Sequence, residues 1–409
     1  MNRSILGRRF WMAGAAALAV CVTGFGLRPT VLAAEAGAEI AAPGTFEGSP
    51  SLTLSNGSLE LTVLPKGASM ASIVLLDDGE KMNPLWNPVR LNRELGREAK
   101  PSSMTGHMIC VDGFGPMSQE ERQAGVPFNG EANAQSYEVH SRKEGSTTEL
   151  TFSGKLPIAQ EAFTRTVRMV QGENVVYVES QLENLLGFDR TVNWGEHATV
   201  SSPFVEPGVT VFDLSGTRGR TDPARKAGQG PPSEPGNTPS LAPDQEFTWP
   251  IAPGLDGKTI DLRLTPGNPH NGDHFGTLMD PSRDLEWATV INTKKKLILG
   301  YLFRREDFPW MHTWIADPPT LKLVRGLEFA TQPFPSSHRE AVTKGPIDGV
   351  PNYRWLPAKS KITTKFLMFY ARVPDGFTKV DDVRMENGQI IIEDHTAHNQ
   401  VRLAASLEL

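Results

Sequence analysis

Cysteine is almost absent from this chain of 409 residues, which has only Cys21 and Cys110. If Cys21 is removed with an amino-terminal signal, the single remaining cysteine excludes an internal disulfide. Cys110 lies in the apolar run Met-Ile-Cys-Val, which favours a small core residue over a catalytic thiol. Neither disulfide bonds nor thiol chemistry is therefore expected to explain this protein.

The sequence also has no excess of positive charge. Its 41 Lys and Arg residues are fewer than its 47 Asp and Glu residues, and the formal net charge is -6. Apart from Lys294-Lys295-Lys296, the basic residues are dispersed, and Gly113-Phe-Gly lacks the flanking strand and helix of a nucleotide-binding fingerprint. We therefore expect no nucleic acid partner and no nucleotide cofactor.

An apolar stretch near the amino terminus is too short to span a membrane. Arg8-Arg9 precede a run rich in Ala, Gly and Val, which glycines interrupt before it reaches about 20 residues. This pattern predicts an export signal over residues 1–34, of twin-arginine or general secretory type, and a linker over 35–50. We expect a periplasmic or secreted protein without stable membrane insertion after signal removal.

Long helical periodicity is missing, and short alternating or apolar runs take its place. The clearest strand signals are 52–54, 59–64, 72–76, 148–152, 175–180, 296–303 and 365–372. Turn formers such as Asn56-Gly57 and Asn387-Gly388 separate such runs, so hairpins dominate. The pattern predicts an all-β fold, a large antiparallel β-sandwich over 51–409, with a Gly- and Pro-rich insertion loop at about 215–256.

Two strand-like runs each contain one candidate catalytic side chain. Glu328 lies in the apolar run Arg325-Gly-Leu-Glu-Phe-Ala, and His197 follows Trp194-Gly-Glu in the other run. A carboxylate and an imidazole in such runs predict a base and an acid that converge on one site. The structural alternatives are a strand histidine satisfied inside the sandwich and an ion pair of Glu328 with Arg325 or Arg304.

The densest group of His and Asp is the segment Pro-His270-Asn-Gly-Asp273-His274. Imidazole and carboxylate are ordinary metal ligands, but no further ligand spacing supports a metal site. Contact with a sugar is the better functional interpretation, and the structural alternative is a plain turn in which Asp and Asn bind their own backbone. No metal site is predicted.

A later segment, Phe308-Pro-Trp310-Met-His312-Thr-Trp314, alternates two tryptophans with a histidine. In a strand these three side chains share one face. Aromatic rings stack on the C–H surfaces of sugars, so this face could form the wall of a carbohydrate cleft; core packing is the alternative. Arg304 is a candidate contact for sugar hydroxyl groups, or a partner of nearby acidic residues.

Several segments, taken in order, resemble the galactose mutarotase (aldose 1-epimerase) superfamily. They are Asn56-Gly to Gly67-Ala, Asn83-Pro-Leu-Trp86, Phe128-Asn129-Gly130-Glu131, Trp194-Gly-Glu-His197, Gly272-Asp273-His274-Phe275 and Gly326-Leu-Glu328 to Pro335. The resemblance implies a mutarotase-like supersandwich that binds a mono- or oligosaccharide without a metal or another cofactor. It also implies that Glu328 is the base and His197 the acid in sugar ring opening.

The residues and the resemblance together define the expected site. The expected substrate contacts are Asn129, Glu131, Asp273, His274, Arg304, His312 and Trp314. The sequence departs from the family pattern at Asn129, where many mutarotases have His. A second alignment register puts Ala330 at the position of the catalytic Glu, which would keep the fold and remove the base.

We expect an aldose 1-epimerase that interconverts sugar anomers by acid and base ring opening. One alternative is a carbohydrate-binding module without turnover, which Asn129 and the Ala330 register favour. Another is an envelope glycoside hydrolase or polysaccharide lyase. A hydrolase needs two carboxylates beside the scissile bond, and Glu131, Asp273 and Glu328 are the candidates.

Overall fold

Two large antiparallel sheets face each other in this protein, as a computed structural model shows for residues 41–223, 239–265, 272–317 and 323–409. The predicted export signal, His270 and the middle of the predicted insertion loop lie outside these described residues. Within the described ranges, no helix is long and apolar enough to cross a membrane.

Strands dominate every part of the chain that the structure describes. In residues 41–223 they are β1 (Ala42–Phe46), β2 (Ser49–Ser55), β3 (Leu59–Leu64), β4 (Ser69–Leu75), β5 (His107–Val111), β6 (Gly113–Phe114), β7 (Glu138–Glu144), β8 (Thr147–Leu156), β9 (Glu161–Val170), β10 (Val175–Asn184), β11 (Arg190–Val192), β12 (Trp194–Ser201), β13 (Thr210–Leu214) and β14 (Gly216–Thr221). In 239–317 they are β15 (Glu246–Thr248), β16 (Ile251–Pro253), β17 (Thr259–Asp261), β18 (Gly272–Met279), β19 (Leu285–Asn292), β20 (Leu297–Arg304) and β21 (Trp310–Ala316). In 323–409 they are β22 (Val324–Gly326), β23 (Glu328–Ala330), β24 (Ser336–Ser337), β25 (Arg354–Leu356), β26 (Lys361–Arg372), β27 (Asp382–Glu386), β28 (Gln389–Asp394) and β29 (Asn399–Ala404). The helices are the short α1 (Pro88–Glu94), α2 (Gln119–Gln123) and α3 (His338–Lys344).

The strands form two main layers. The larger sheet has the order β1-β2-β3-β4-β5-β12-β22-β21-β18-β14-β15-β16-β17, and β23 pairs with both β12 and β21. The second sheet has the order β13-β19-β20-β26-β10-β9-β8-β7. Strands β27 to β29 form a separate sheet, and buried Val383, Ile390 and Ile392 pack with Trp287 and Phe369 of the second sheet. The main core lies between the two large sheets.

The predicted all-β antiparallel sandwich is confirmed. Strand β9 alternates buried and partly exposed residues along its length, the period-2 pattern of a strand with one face in the core. Asn387 and Gly388 join β27 to β28 with φ of 51° and 71°. Positive φ at both positions is what a two-residue hairpin turn requires, and Asn-Gly supplies it at low cost.

Two predicted boundaries need correction. Residues 42–50 of the predicted linker form β1 and the start of β2, which pair as a hairpin at the edge of the larger sheet. The predicted insertion loop at 215–256 contains β14, β15 and β16, which extend the same sheet. Phe247 and Ala252 are buried there, so part of this Gly- and Pro-rich segment contributes to the core.

A buried ion pair lies between the two sheets, behind β12. The Glu196 carboxylate accepts hydrogen bonds from Arg165 Nη2 at 2.6 and 2.7 Å, and its Oε2 is 2.9 Å from His107 Nε2. Burial alone would raise the pKa of Glu196, but Arg165 and His107 lower it overall. Glu196 is thus a salt-bridged residue on the face of β12 opposite His197.

Replacing Arg165 with Met should destabilise the protein strongly, because Glu196 would keep a buried charge without its main partner. We expect a loss of about 3–5 kcal/mol in the free energy of unfolding. Urea unfolding at neutral pH measures it. Arg168→Met is the matched control: this neighbour on β9 has a half-buried side chain paired with Glu149, so its loss should cost at most about 1 kcal/mol. Equal losses in both variants would contradict the assignment.

Candidate functional site

Adjacent strands of the larger sheet place several polar side chains on the face turned away from the main core. Ala198 of β12 packs in the core, so strand alternation puts His197 on the opposite face. His312 of β21 lies opposite Glu328 of β23. The register between β12 and the segment β22 to β23 is continuous, so His197 lies opposite Glu328 on the other side.

The Glu328 carboxylate lies between two imidazoles. Oε2 is 2.5 Å from His312 Nδ1, and Oε1 is 3.2 Å from His197 Nδ1, close but not aligned as a full hydrogen bond. His312 Nε2 is in turn 3.0 Å from His274 Nδ1, and these two rings stack. Glu328 itself is 0% exposed. The structure thus brings together four predicted site residues as the chain His274, His312, Glu328, His197.

Burial controls the acid and base properties of this group. It raises the pKa of Glu328 to about 7, with a smaller opposing effect from His197. Burial also lowers the pKa of His197, although Glu328 partly offsets this effect. Burial thus favours the neutral form of each group, and the Glu328 carboxylate forms as the pH rises through about 7.

Gly326 provides the space in which the Glu328 carboxylate lies. The two residues share one face of the strand, and the glutamate side chain folds back over the glycine. A Cβ atom at position 326 would lie 2.4 Å from Glu328 Oε1 and 2.8 Å from its carboxyl carbon. The glycine of the Gly-Leu-Glu segment is therefore required, since only a glycine at position 326 leaves room for the Glu328 carboxylate.

His197 connects the buried carboxylate to the surface of the site. Its Nδ1 is 2.9 Å from Thr199 Oγ1, and its side chain is 12% exposed. Phe114 contacts the His197 and His312 rings edge-on, with centroids 5.8 and 5.2 Å apart. Sequence reasoning missed Phe114 and Thr199: the only signal for Phe114 was its place between two glycines, and Thr199 follows His197 at the spacing of one strand face.

Two tryptophans lie beside this chain of residues. Trp314 of β21 is partly exposed and lies opposite His274 in the sheet register. Its ring meets that of Trp86 edge-on at 5.8 Å, and the Trp86 backbone is hydrogen-bonded to Thr199. Trp310, by contrast, is fully buried. Trp310, His312 and Trp314 share one strand face as predicted, but of these three only Trp314 is partly exposed, and its aromatic partner is Trp86.

Asp273 and Glu131 do not join the site. Asp273 precedes His274 in β18, so alternation turns it to the other face, where its Oδ1 accepts hydrogen bonds from the amides of Ser240 and Leu241, both at 2.9 Å. Glu131 is buried and accepts hydrogen bonds from the backbone amides of Ile158 and Ala159. Both carboxylates thus bind backbone amides away from the His197 and Glu328 pair, and their contact with a substrate stays a prediction.

Asn129 and Arg304, two further predicted substrate contacts, also lie outside the chain His274, His312, Glu328, His197. Asn129 has φ of 65°, and its Oδ1 accepts a 2.7 Å hydrogen bond from the Gly115 amide, which stabilises the segment that follows Phe114. Arg304 is exposed at the end of β20 in the second sheet, where it donates to the backbone oxygen of Leu409. Arg304 thus belongs to the second sheet, and Asn129 binds the backbone next to Phe114.

The two registers of the Glu328 strand differ in which residue of β23 takes the catalytic position, Glu328 or Ala330. Ala330 shares the face of Glu328 but packs with Cys110 and Phe114 in a small apolar cluster. Burial raises the pKa of the Cys110 thiol well above its usual range, with a further contribution from Glu328. Cys110 is therefore a small core residue, as the sequence indicates, and Glu328 provides the carboxylate that reaches His197.

Among residues that the structure describes, no group of three or more His, Cys, Asp or Glu side chains is arranged to hold a metal ion. His274, His312 and Glu328 instead bond to one another.

Comparison with known proteins gives the fold its name. No family model matches the chain, and no curated protein matches its sequence. A solved galactose mutarotase related enzyme from Lactobacillus acidophilus superposes with a TM-score of 0.53 at 15% identity, over 82% of this chain and 100% of that one. A galactose mutarotase-like protein from Clostridium acetobutylicum gives 0.54 at 12% identity, over 81% and 98%. This chain has the galactose mutarotase-like fold.

The mutarotase-like fold confirms the resemblance based on the ordered segments of the sequence. It explains why His197 and Glu328, 131 positions apart in the chain, lie on adjacent strands. At identities this low the similarity concerns the fold, and activity has to be argued from the site itself.

Replacing Glu328 with Gln removes an ionisable group from the mutarotase-like site while keeping its size. The folded-state pKa is raised from 4.5 to about 7, so the folded protein holds a proton that the unfolded chain releases, and stability falls as the pH rises between these values. The variant should gain stability relative to the wild type between pH 5 and pH 8, by up to about 3 kcal/mol. Urea unfolding at both pH values tests this, and an equal difference at both would contradict it.

Replacing Gly326 with Ala should displace the Glu328 carboxylate, because the new methyl group overlaps its present position. We expect a loss of about 1–3 kcal/mol in the free energy of unfolding. Gly187→Ala is the control, since a Cβ there meets nothing within 4 Å. Thermal or urea unfolding of both variants provides the measurement; a Gly326→Ala variant as stable as the control would show that the carboxylate lies elsewhere.

Proposed function

We propose that this protein binds a sugar and acts as an aldose 1-epimerase, which opens and recloses the sugar ring at the pair His197 and Glu328. The observation that most supports the proposal is a buried carboxylate 3.2 Å from a partly exposed imidazole, on the outer face of a mutarotase-like sheet. Fold and site chemistry thus favour the same reaction.

The reaction suits the groups present. Mutarotation needs a proton removed from the anomeric hydroxyl and a proton delivered to the ring oxygen, and it requires no metal or other cofactor. A carboxyl group with a pKa of about 7 can gain and lose a proton near neutral pH. Each positioned proton-transfer group typically contributes about 10²- to 10⁴-fold in rate.

The surroundings of the pair suit a sugar. The partly exposed Trp314, on a strand next to the Glu328 strand, meets the buried Trp86 ring edge-on, and Phe114 meets the His197 ring edge-on. Aromatic rings can pack on the C–H face of a pyranose while imidazole nitrogens bind its hydroxyl groups. A mono- or oligosaccharide is therefore the proposed ligand, and with the predicted export signal we propose that the protein meets it in the periplasm or outside the cell.

A carbohydrate-binding protein without turnover is the second candidate. The complete burial of Glu328 favours it, because a base that faces only imidazoles cannot reach a sugar directly. A glycoside hydrolase has less support, since Glu131 and Asp273, the other candidate carboxylates, bind backbone amides.

Polarimetry of freshly dissolved α-glucose and α-galactose with the protein tests the proposal. We expect the wild type to accelerate the change in optical rotation, and His197→Gln to reduce kcat/KM about 10²-fold or more because it removes a proton-transfer group. His140→Gln, which changes an exposed histidine on β7, is the matched control and should keep full activity.

The outcomes separate the two candidates. If no common aldose is accelerated while calorimetry still detects sugar binding, the binding protein without turnover is favoured. If activity survives His197→Gln, the reaction does not take place at this pair.

A further inference from the structure

We propose that the atom that exchanges protons with the sugar is His197 Nε2, and that Glu328 acts through His197 without touching the sugar. This inference rests on the proposed epimerase function. It changes the expected role of Glu328 from a base that contacts the substrate to a positioning residue behind the histidine.

The Glu328 carboxyl group is not accessible from the surface of the site. Glu328 is 0% exposed, and its two oxygens face the Nδ1 atoms of His312 and His197. Its carboxyl group also lies against the backbone of Gly326. A sugar hydroxyl would have to displace an imidazole to reach it, and the short contact with His312 opposes this on one side.

His197 has the opposite arrangement. Its Nδ1 faces inward, toward Glu328 Oε1 and Thr199 Oγ1, while 12% of its side chain remains exposed. Nε2, on the other edge of the ring, has no hydrogen-bond partner within the described part of the chain. The atom available to a ligand is therefore Nε2.

The protonation state of Glu328 can select the form of His197. When Glu328 is ionised, it favours a proton on Nδ1, so Nε2 keeps a lone pair and is a base. When Glu328 is protonated, the charge that favours a proton on Nδ1 is lost; Nδ1 can then accept a hydrogen bond from Thr199 Oγ1, 2.9 Å away, and the imidazole proton lies on Nε2. The accessible nitrogen changes from base to acid when Nε2 takes a proton from the sugar, because the ring is then an imidazolium whose charge the Glu328 carboxylate balances or whose Nδ1 proton passes to Glu328.

The ring-opening steps balance with this single nitrogen. Nε2 takes the proton of the anomeric hydroxyl as the electrons of that O–H bond form the carbonyl double bond, and the bond from the anomeric carbon to the ring oxygen breaks with its electron pair on that oxygen. The imidazolium Nε2–H then protonates the ring oxygen, which gives the open-chain aldehyde. Both oxygens are bonded to the same carbon, so one positioned group can serve both. Rotation of the aldehyde and the reverse steps give the other anomer.

Other groups near Glu328 determine when this change of form occurs. His312 faces it from β21, with His274 of β18 behind, and the Cys110 thiol of β5 lies near it. On the core face of β12, the charge of Glu196 is balanced by Arg165. Among the described neighbours, the imidazoles of His312 and His197 are the titratable groups closest to the Glu328 carboxyl group.

A double-mutant cycle on kcat/KM tests the inference. We expect His197→Ala to lower kcat/KM about 10²- to 10⁴-fold and Glu328→Gln to lower it measurably as well. Adding Glu328→Gln to His197→Ala should cost nothing further, because Glu328 has no separate route to the sugar. A further loss of tenfold or more in the double variant, or full activity in Glu328→Gln alone, would overturn the proposal.

The imidazole nitrogen NMR shifts of the sugar-free protein give a readout that does not depend on turnover. His197 should change from the Nε2-protonated to the Nδ1-protonated tautomer as the pH rises through about 7, and this change should disappear in Glu328→Gln. The same tautomer at all pH values, or the same behaviour in the variant, would overturn the inference. If the wild type accelerates no aldose, the proposed function fails, and the tautomer result still decides whether Glu328 controls His197.

Discussion

The candidate site depends on a carboxyl group that has no solvent contact and is flanked by imidazoles. Burying a carboxylate costs several kcal/mol unless partners compensate, so the group either stays protonated or needs donors nearby. Glu328 has both options, because His312 and His197 contact its two oxygens and burial raises its pKa to about 7. Gly326 is needed for the same arrangement, since any side chain at this position would overlap the Glu328 carboxyl group.

Strand β12 contributes side chains both to the candidate site and to the core between the two sheets. On its core face Glu196 is paired with Arg165 and His107, and on the next residue His197 faces the site. The Glu196 ion pair and the contact between His197 and Glu328 thus lie on opposite faces of β12 and need not compete for hydrogen-bond partners. A strand held firmly from within can keep His197 in a defined orientation, which proton transfer requires.

The sequence predicts the fold well because the fold depends on local patterns. Period-2 alternation and Asn-Gly turns are visible in single segments, and the order of the mutarotase-like segments adds the topology. The same patterns predict that His197 and Glu328 converge and that Trp310, His312 and Trp314 share one strand face, and the structure shows both arrangements.

The rest of the site could not be predicted, because it depends on pairing between distant segments. Asp273 and His274 are adjacent in the sequence, and both are predicted to contact the sugar. The strand turns their side chains to opposite faces. Phe114 gains its role only because β6 pairs with β24, far away in the chain. Arg304 ends a strand of the other sheet, a fact that no local signal reveals.

The most direct test of this account is a pH titration of the Glu328 carboxyl carbon by NMR, with the signal assigned by its absence in Glu328→Gln. The account predicts a midpoint near pH 7, because burial raises the pKa of Glu328 to about 7. A midpoint near 4.5, the usual value for a glutamate, would show a solvated carboxylate and contradict the buried arrangement with His197 and His312.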